Sequence, residues 1–429
     1  MPAHLIFITL FLGIVSGRQG ITLQAGPEVK SIRITLSGKQ LVLLTQAPWR
    51  AEIDFGQEMV PRELAAIGFD ANGNEIARAT QVLNLPKPTA DVQILREGDG
   101  LKLSYSNLQY SPPRKTTVML DTTKLKVGKD FTVSLPANVD WSFPHIVQAE
   151  MRFEDGVIAR REAVLEGTRF FDTEDTELSP VLLTETSTVH PASFEGCFSL
   201  DGQPVRASAV EKESAHVIFV QDPDPRSTIH ALDPTHRAQS VFTRSEVGRW
   251  AHLDEDTQQA LLWPVSKQFT DSTSRAVSRL FEHSQDMQRK AGLIGLLTTR
   301  WPSVSEEPRQ YVDSVAVAGI RSAGGQRRAV VLIYNDHPDV SRGDAAAVRR
   351  YLEALGVPFF MWSPTAVPAD VTARWGEVED ISTVDHLRAA AAKLRATLAS
   401  QRIAWIHADA LSALRVKADE RCGFATVAR

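Results

Sequence analysis

Cysteine is nearly absent from this chain: Cys197 and Cys422 are the only two in 429 residues. They stand too far from each other and from other ligand-type residues to form a metal knuckle, and such a pair is compatible with one disulfide or with two free thiols. No block of lysine and arginine occurs and the net charge is only −5, so the chain lacks the electrostatic footprint of a nucleic-acid binder. Beyond the first residues there is no apolar run long enough for a membrane-spanning helix, which excludes a transmembrane anchor in that part. Neither a Gly-x-Ser-x-Gly elbow nor a glycine-rich phosphate loop is present, and His216, His230, His236 and His252 share no metal spacing. What is present is ordinary: 43% hydrophobic and 23% charged residues, enough to bury the cores of several globular domains.

The N-terminus carries one apolar stretch, Leu5 to Val15, followed by the small residues of Val15-Ser-Gly17. It is too short to span a bilayer and has the length of a secretory leader, which gives residues 1–17 as an expected signal peptide. Met1-Pro-Ala-His4 has no basic residue, and the competing reading is a buried N-terminal strand. No cysteine follows, so a lipid anchor of the lipoprotein type is not expected. A secreted or periplasmic location follows from the leader reading.

From Ile21 to Leu85 the apolar residues recur every second position, as in Ile32, Ile34 and Leu36, which is the period of half-buried strands. Residues 21–86 are expected to form one β-sandwich module and residues 90–167 a second, with Pro86 and Pro88 between them. A weak internal repeat supports the pairing: Phe69…Gly73…Ile76-Ala77-Arg78 is echoed by Phe153…Gly156…Ile158-Ala159-Arg160. Short strands at this spacing point to immunoglobulin-like modules. Residues 168–213 read as an extended bridge.

At His216 the period changes. His216 to Gln221, Ala260 to Val265, Gly292 to Leu297 and Val330 to Ile333 are all-apolar or nearly so, as strands covered on both faces are. Helices are expected over Pro308 to Arg321, after Ser341 and Asp344, and after Ser382 and Asp385, with Gln401 to Ile406 as a last strand. The alternation gives a doubly wound, Rossmann-type α/β domain over residues 214–410 and a tail over 411–429.

Two strand ends in that domain are acidic. Asp222 and Asp224 follow the first strand, and Asp336 and Asp339 follow the run Arg327 to Ile333. On neighbouring strands these carboxylates would converge on the crevice where open α/β sheets bind ligands, a place suited to Mg²⁺ or Ca²⁺. The plainer reading is turn chemistry, for which aspartate before proline is common.

The order of elements from Ala215 to Ile406, together with Arg327 to Asp336, Asp313-Ser-Val-Ala and Gly376 to Arg402 with Trp405 beyond, resembles a von Willebrand factor type A domain. The closest pattern is that of the secreted bacterial type A-related proteins, which carry β-rich modules ahead of the domain. That resemblance implies a non-enzymatic adhesion-type protein with a protein partner of unknown identity. The family's metal-ion-dependent adhesion site maps onto Asp222, Asp224, Arg226, Arg309 and Asp336, with Asp222, Asp224 and Asp336 as the metal-ligating residues. Arg226 and Arg309 replace hydroxyl ligands, and a guanidinium is always charged and coordinates no cation, so a degenerate site without a resident metal is expected. Arg226 and Arg309 are then candidates to meet an acidic group of the partner directly. A second resemblance competes: Asp222-Pro-Asp224 after a buried strand is similar to the haloacid-dehalogenase phosphatases. It implies Asp222 as nucleophile, Thr298 at the phosphate, and Mg²⁺ held by Asp336 and Asp339. The lysine that this family requires is missing between Ala291 and Asp339.

Overall fold

A computed structural model describes residues 4–222 apart from short breaks (12, 87–89, 98–99, 108–109, 141–142, 155, 166–174, 177, 190 and 192), and then 253, 257–268, 278–282 and 309–427. Asp224, Arg226, Gly292 to Leu297 and Thr298 lie outside the described residues.

The first module pairs β1 (Leu5–Phe7), β2 (Arg18–Ala25) and β5 (Arg50–Asp54) in one sheet. β4 (Lys39–Leu44), β3 (Ser31–Leu36), β6 (Arg62–Phe69) and β7 (Glu75–Leu83) make the other. The second module repeats this plan. β8 (Ala90–Glu97), β9 (Gly100–Asn107) and β12 (Thr132–Val133) form its three-stranded sheet. β11 (Thr123–Leu125), β10 (Pro113–Leu120), β13 (His145–Phe153), β14 (Ile158–Leu165) and the short β15 (Asp175–Thr176) form the other. Inward residues such as Ile32, Ile34 and Leu64, or Val92, Val118 and Val147, are buried between the sheets, as alternation requires. The repeated motif falls on the corresponding hairpin of each module, β6–β7 and β13–β14, where Gly73 (φ 82°) and Gly156 (φ 84°) take the left-handed turn position.

The expected leader is a strand here. β1 pairs antiparallel with β2, and Leu5, Phe7 and Val15 are buried in the first module's core. Asn84 fastens the segment: its Oδ1 accepts from Val15 N at 2.6 Å and its Nδ2 donates to Val15 O at 2.9 Å. The strand is confined to Leu5–Phe7, and Ile6, Ile8 and Leu10 are exposed.

Between Leu178 and Val427 an α/β sheet is inserted into a small β unit. β16 (Leu178–Glu185), β19 (Ala207–Glu211), β26 (Gln401–His407) and β28 (Phe424–Thr426) form one antiparallel sheet. β17 (Phe198–Leu200), β18 (Gln203–Pro204) and β27 (Val416–Ala418) form another, and Cys197 and Cys422 are joined in a disulfide between its flanks. This corrects three expected boundaries. Residues 168–213 are no mere bridge, residues 411–429 no mere tail, and Gln401 to Ile406 is not the last strand of the parallel sheet. Local pattern shows that Ile403, Ala404 and Ile406 are in a buried strand but not which neighbours it pairs with.

The inserted sheet runs β22 (Ser278–Glu282), β21 (Thr257–Gln268), β20 (Ala215–Gln221), β23 (Arg327–Ile333), β24 (Phe359–Ser363), β25 (Val378–Asp380). Every pairing is parallel except that of β22 with β21. α1 (Tyr311–Ser322), α2 (Ala345–Ala354) and α3 (Ala369–Trp375) cover one face, and α4 (Val384–Ser400) covers the other through Leu387, Ala391, Leu394 and Leu398. α5 (Ala410–Ala413) lies in the disulfide unit. Asp344 caps α2 by accepting from Ala347 N, whereas α4 is capped by Thr383 in place of the expected Ser382 and Asp385.

Candidate functional site

β20 and β23 are neighbours in parallel register, with Gln221 opposite Ile333, so Asp222 lies beside the start of the loop after β23. Asp222 is the first residue beyond β20 and is buried. Arg309 lies against it: Nε donates to Asp222 Oδ2 at 2.8 Å, with both side chains fully shielded from solvent. Tyr311, at the start of α1, places its hydroxyl 2.6 Å from the same Oδ2 and 3.0 Å from Asn335 O, with its one proton shared between the two acceptors. Burial, and then the neighbouring Asp222 carboxylate, push the Tyr311 phenol well above its ordinary range, so it is a permanent donor at physiological pH. His337 Nε2 stands 3.6 Å from Asp222 Oδ2.

The segment at Arg309 is held by backbone bonds to the loop after β23. Arg309 N donates to Pro338 O at 3.3 Å and Val340 N donates to Arg309 O at 2.8 Å. Asp339 then serves α1 as a cap from 28 residues away. Its carboxylate accepts from Tyr311 N (3.2 Å) and Val312 N (3.3 Å), while the residue preceding the helix, Gln310, makes no side-chain cap. Asp313 returns the arrangement by accepting from Arg342 N (3.2 Å) and Gly343 N (3.3 Å). Gly343 is required by close approach: a Cβ there would lie 2.6 Å from Met59 Cε and 3.1 Å from Val312 Cγ1.

Of the residues expected to converge, the structure brings Asp222 and Arg309 into contact and sets the Asp336 loop beside them. Asp336 itself is exposed, and Asp339 is committed to α1 rather than to a ligand. Asp224 and Arg226 lie outside the described residues. Arg309 is not a surface group awaiting an acidic partner, because it is fully buried and spends its Nε on Asp222. Sequence reasoning passed over Tyr311, His337 and Asn335. The spacing Arg309-Gln310-Tyr311 held a signal in retrospect, since a tyrosine at the first turn of a helix beside a strand-end aspartate can reach that carboxylate.

A divalent cation does not fit the described residues. Asp222 Oδ2 already accepts two bonds, and the guanidinium in contact with it can neither deprotonate nor donate a lone pair. Among the described residues no cluster of three or more His, Cys, Asp or Glu side chains is arranged to hold a metal. Asp222, the nucleophile of the phosphatase reading, is buried beneath Arg309 and Tyr311, and both of them bond its Oδ2.

No protein-family model and no curated protein matches the sequence. Similar solved structures include the fibronectin(III)-like modules of Clostridium thermocellum CbhA, at 13% identity over 19% of this chain and 93% of that one, with a TM-score of 0.17. The central fibronectin-III array of RIM-binding protein is 14% identical over 48% of this chain and 81% of that one, with a TM-score of 0.20. SGBP-B of the Bacteroides ovatus mixed-linkage glucan utilization locus, in complex with a mixed-linkage heptasaccharide, is 12% identical over 48% of this chain and 58% of its own, with a TM-score of 0.14. The two N-terminal units are β-sandwich modules by their own strand pairing, and no helix among the described residues is long and apolar enough to cross a membrane.

Proposed function

We propose that this is an exported, non-enzymatic binding protein in which two β-sandwich modules carry a von Willebrand type A-like domain with an arginine in the cation's place. The observation that carries the reading is the buried Asp222–Arg309 pair. In an adhesion site of this kind a metal both satisfies the strand-end aspartate and ties together the loops around it. Arg309 does both here: it neutralises Asp222, and its backbone is zipped to residues 338–340. The interaction face is then the surface formed by the loop after β23, where Asp336 and His337 are accessible. Partner binding on such a face needs no divalent cation. Asn335 is buried beneath this face, and its backbone carbonyl accepts from Tyr311. Export is favoured by the Cys197–Cys422 disulfide, a bond that persists in oxidising compartments.

Thermal melts of the intact chain with Mg²⁺, Mn²⁺ or Ca²⁺ against EDTA test this reading. The wild type should show one midpoint under all conditions. Arg309→Thr, which restores a hydroxyl and empties the charged seat, should gain a Mn²⁺-dependent rise, worth about 2.7 kcal/mol at a hundredfold excess over Kd. That gain should vanish on adding Asp222→Ala. A cation-dependent rise in the wild type, abolished by Asp222→Ala alone, sinks the proposal.

A further inference from the structure

The second module meets the rest of the chain through a cluster of charges. From its β13–β14 hairpin come Glu150, Arg152 and Arg160, and from the β unit come Glu211 on β19 and Glu213 on the segment entering β20. Arg152 Nε bonds Glu150 Oε1 at 2.7 Å and its Nη1 bonds Glu213 Oε2 at 2.9 Å, with Nη2 3.7 Å from Glu211 Oε2. Arg160 Nη2 contacts Glu150, Glu211 and Glu213 together, and its guanidinium stacks 4.9 Å above the Trp405 ring of β26. Arg327 of β23 donates its Nε to the Glu213 backbone carbonyl. Gln326 Nε2 ties the same place to the hairpin turn, reaching Gly156 O at 2.7 Å and Ser214 Oγ at 3.0 Å. Further along the junction Glu162 is buried beside Gln148, Ser208, Arg206 and His407.

Among the described residues three carboxylates of this group are in direct contact with two guanidiniums, while Arg327 keeps its charge but bonds the carbonyls of Glu213 and Leu398. Glu213 shares those two guanidiniums with Glu150 and Glu211 although its side chain is only 2% exposed. A buried excess charge is removed by protonation, and two carboxyl groups can hydrogen-bond to each other only with a proton between them. We propose that the Glu211–Glu213 pair is a proton-operated latch on the junction between the second module and the remainder of the chain, shut while the pair holds one proton and loosened when it loses it.

Burial, reinforced by the bond to Glu211, pushes the Glu213 carboxyl up to about 7, against the opposing pull of Arg152 and Arg160. The sign follows from linkage. A carboxyl that is raised in the folded state contributes stability that is complete below its ordinary value of 4.5, declines above it, and is gone above about 7. His407 works in the opposite direction, because burial lowers its pKa and its contribution is lost as pH falls. The two effects are separated by mutation.

Hydrogen exchange of the intact protein, corrected for intrinsic rates and followed over residues 156–164 and 207–214, is the test. Between pH 5 and 7 the wild type should lose protection in both segments together, by about tenfold per pH unit, and the loss should level off above about 7. Glu213→Gln should flatten that trend. Glu211→Gln, which leaves two carboxylates facing two arginines, should flatten it as well and serves if the first variant does not fold. Protection that is flat in the wild type, or a trend that persists in the foldable variants, overturns the proposal. This latch is independent of the reading of Asp222, since Arg309→Thr leaves every group in the cluster untouched.

Discussion

The two β-sandwich modules share one strand plan, but among the described residues only the second adds a buried charged cluster to its apolar contact, Ile158 against Leu182, Ile403 and Trp405. The first docks on the α1–α2 side of the parallel sheet with apolar groups. Met59, from the loop between β5 and β6, is buried in the core formed by α1 and α2, and Ile14 and Leu85 pack against it. Tyr351 of α2 donates its hydroxyl to Asn84 O at 2.9 Å, and Asn84 in turn holds Val15 in the segment between β1 and β2. The second module docks through four charged side chains gathered around Glu213 and four polar or charged ones around Glu162. Apolar burial is indifferent to pH and strengthens with structure-making salts, whereas a buried ionic cluster depends on proton count and geometry. A shared fold therefore does not imply a shared mechanical role. The first module is fixed to the domain that carries Asp222, and Met59 touches the Gly343 loop beside that site. The second is held by contacts that a proton can weaken.

The sharpest way to break this comparison is to remove residues 1–17. In the first module this deletes β1 and the buried side chains Leu5, Phe7 and Val15, each worth about 1.5–3 kcal/mol of burial. The expected outcome is loss of the cooperative transition of that module in urea, with the second module unaffected. An unchanged transition would falsify the assignment of this stretch to the core and return it to the role of a leader. Next in size is Met59→Ala, expected to cost about 2–5 kcal/mol at the docked interface because a buried methionine leaves a cavity. Its penalty should be the same at pH 6 and pH 8. A penalty that changes with pH would erase the contrast between the two junctions. The smallest effect is expected from Glu58→Gln, which removes the exposed pair with Arg350 (2.6 Å). Such pairs are worth about 0.2–1 kcal/mol and are screened, so chemical denaturation at low and high NaCl should differ only marginally.

Much of the fold could be read from pattern. Alternation in Ile32, Ile34 and Leu36 and the paired glycine turns mark the modules, because a sandwich strand must bury every second residue. The unbroken run Val330 to Ile333 marks a sheet covered on both faces, and all four residues are fully buried. Asp222 is also legible as an acid at the end of the strand His216 to Gln221. What pattern missed were pairings across distance. Gln401 to His407 is an apolar strand in either sheet, and nothing within it says that Val181 and Leu183 lie opposite. Asp339 reads as a ligand because its sequence neighbours do not reveal that the uncapped amides of α1 are within reach.

The sequence by itself determines the periods, and periods decide element type: strands of alternating burial, strands buried on both faces, and helices with one apolar stripe. It also determines that guanidinium groups stand among the carboxylates, since residue types are written in it directly. Only the tertiary structure decides which charge meets which. It sets Arg309 on Asp222 across 87 residues, Arg160 on Glu213 across 53, and Cys197 on Cys422 across 225. Those meetings depend on the order of strands in the sheets and on the packing of one module against another, and neither leaves a periodic trace in the chain.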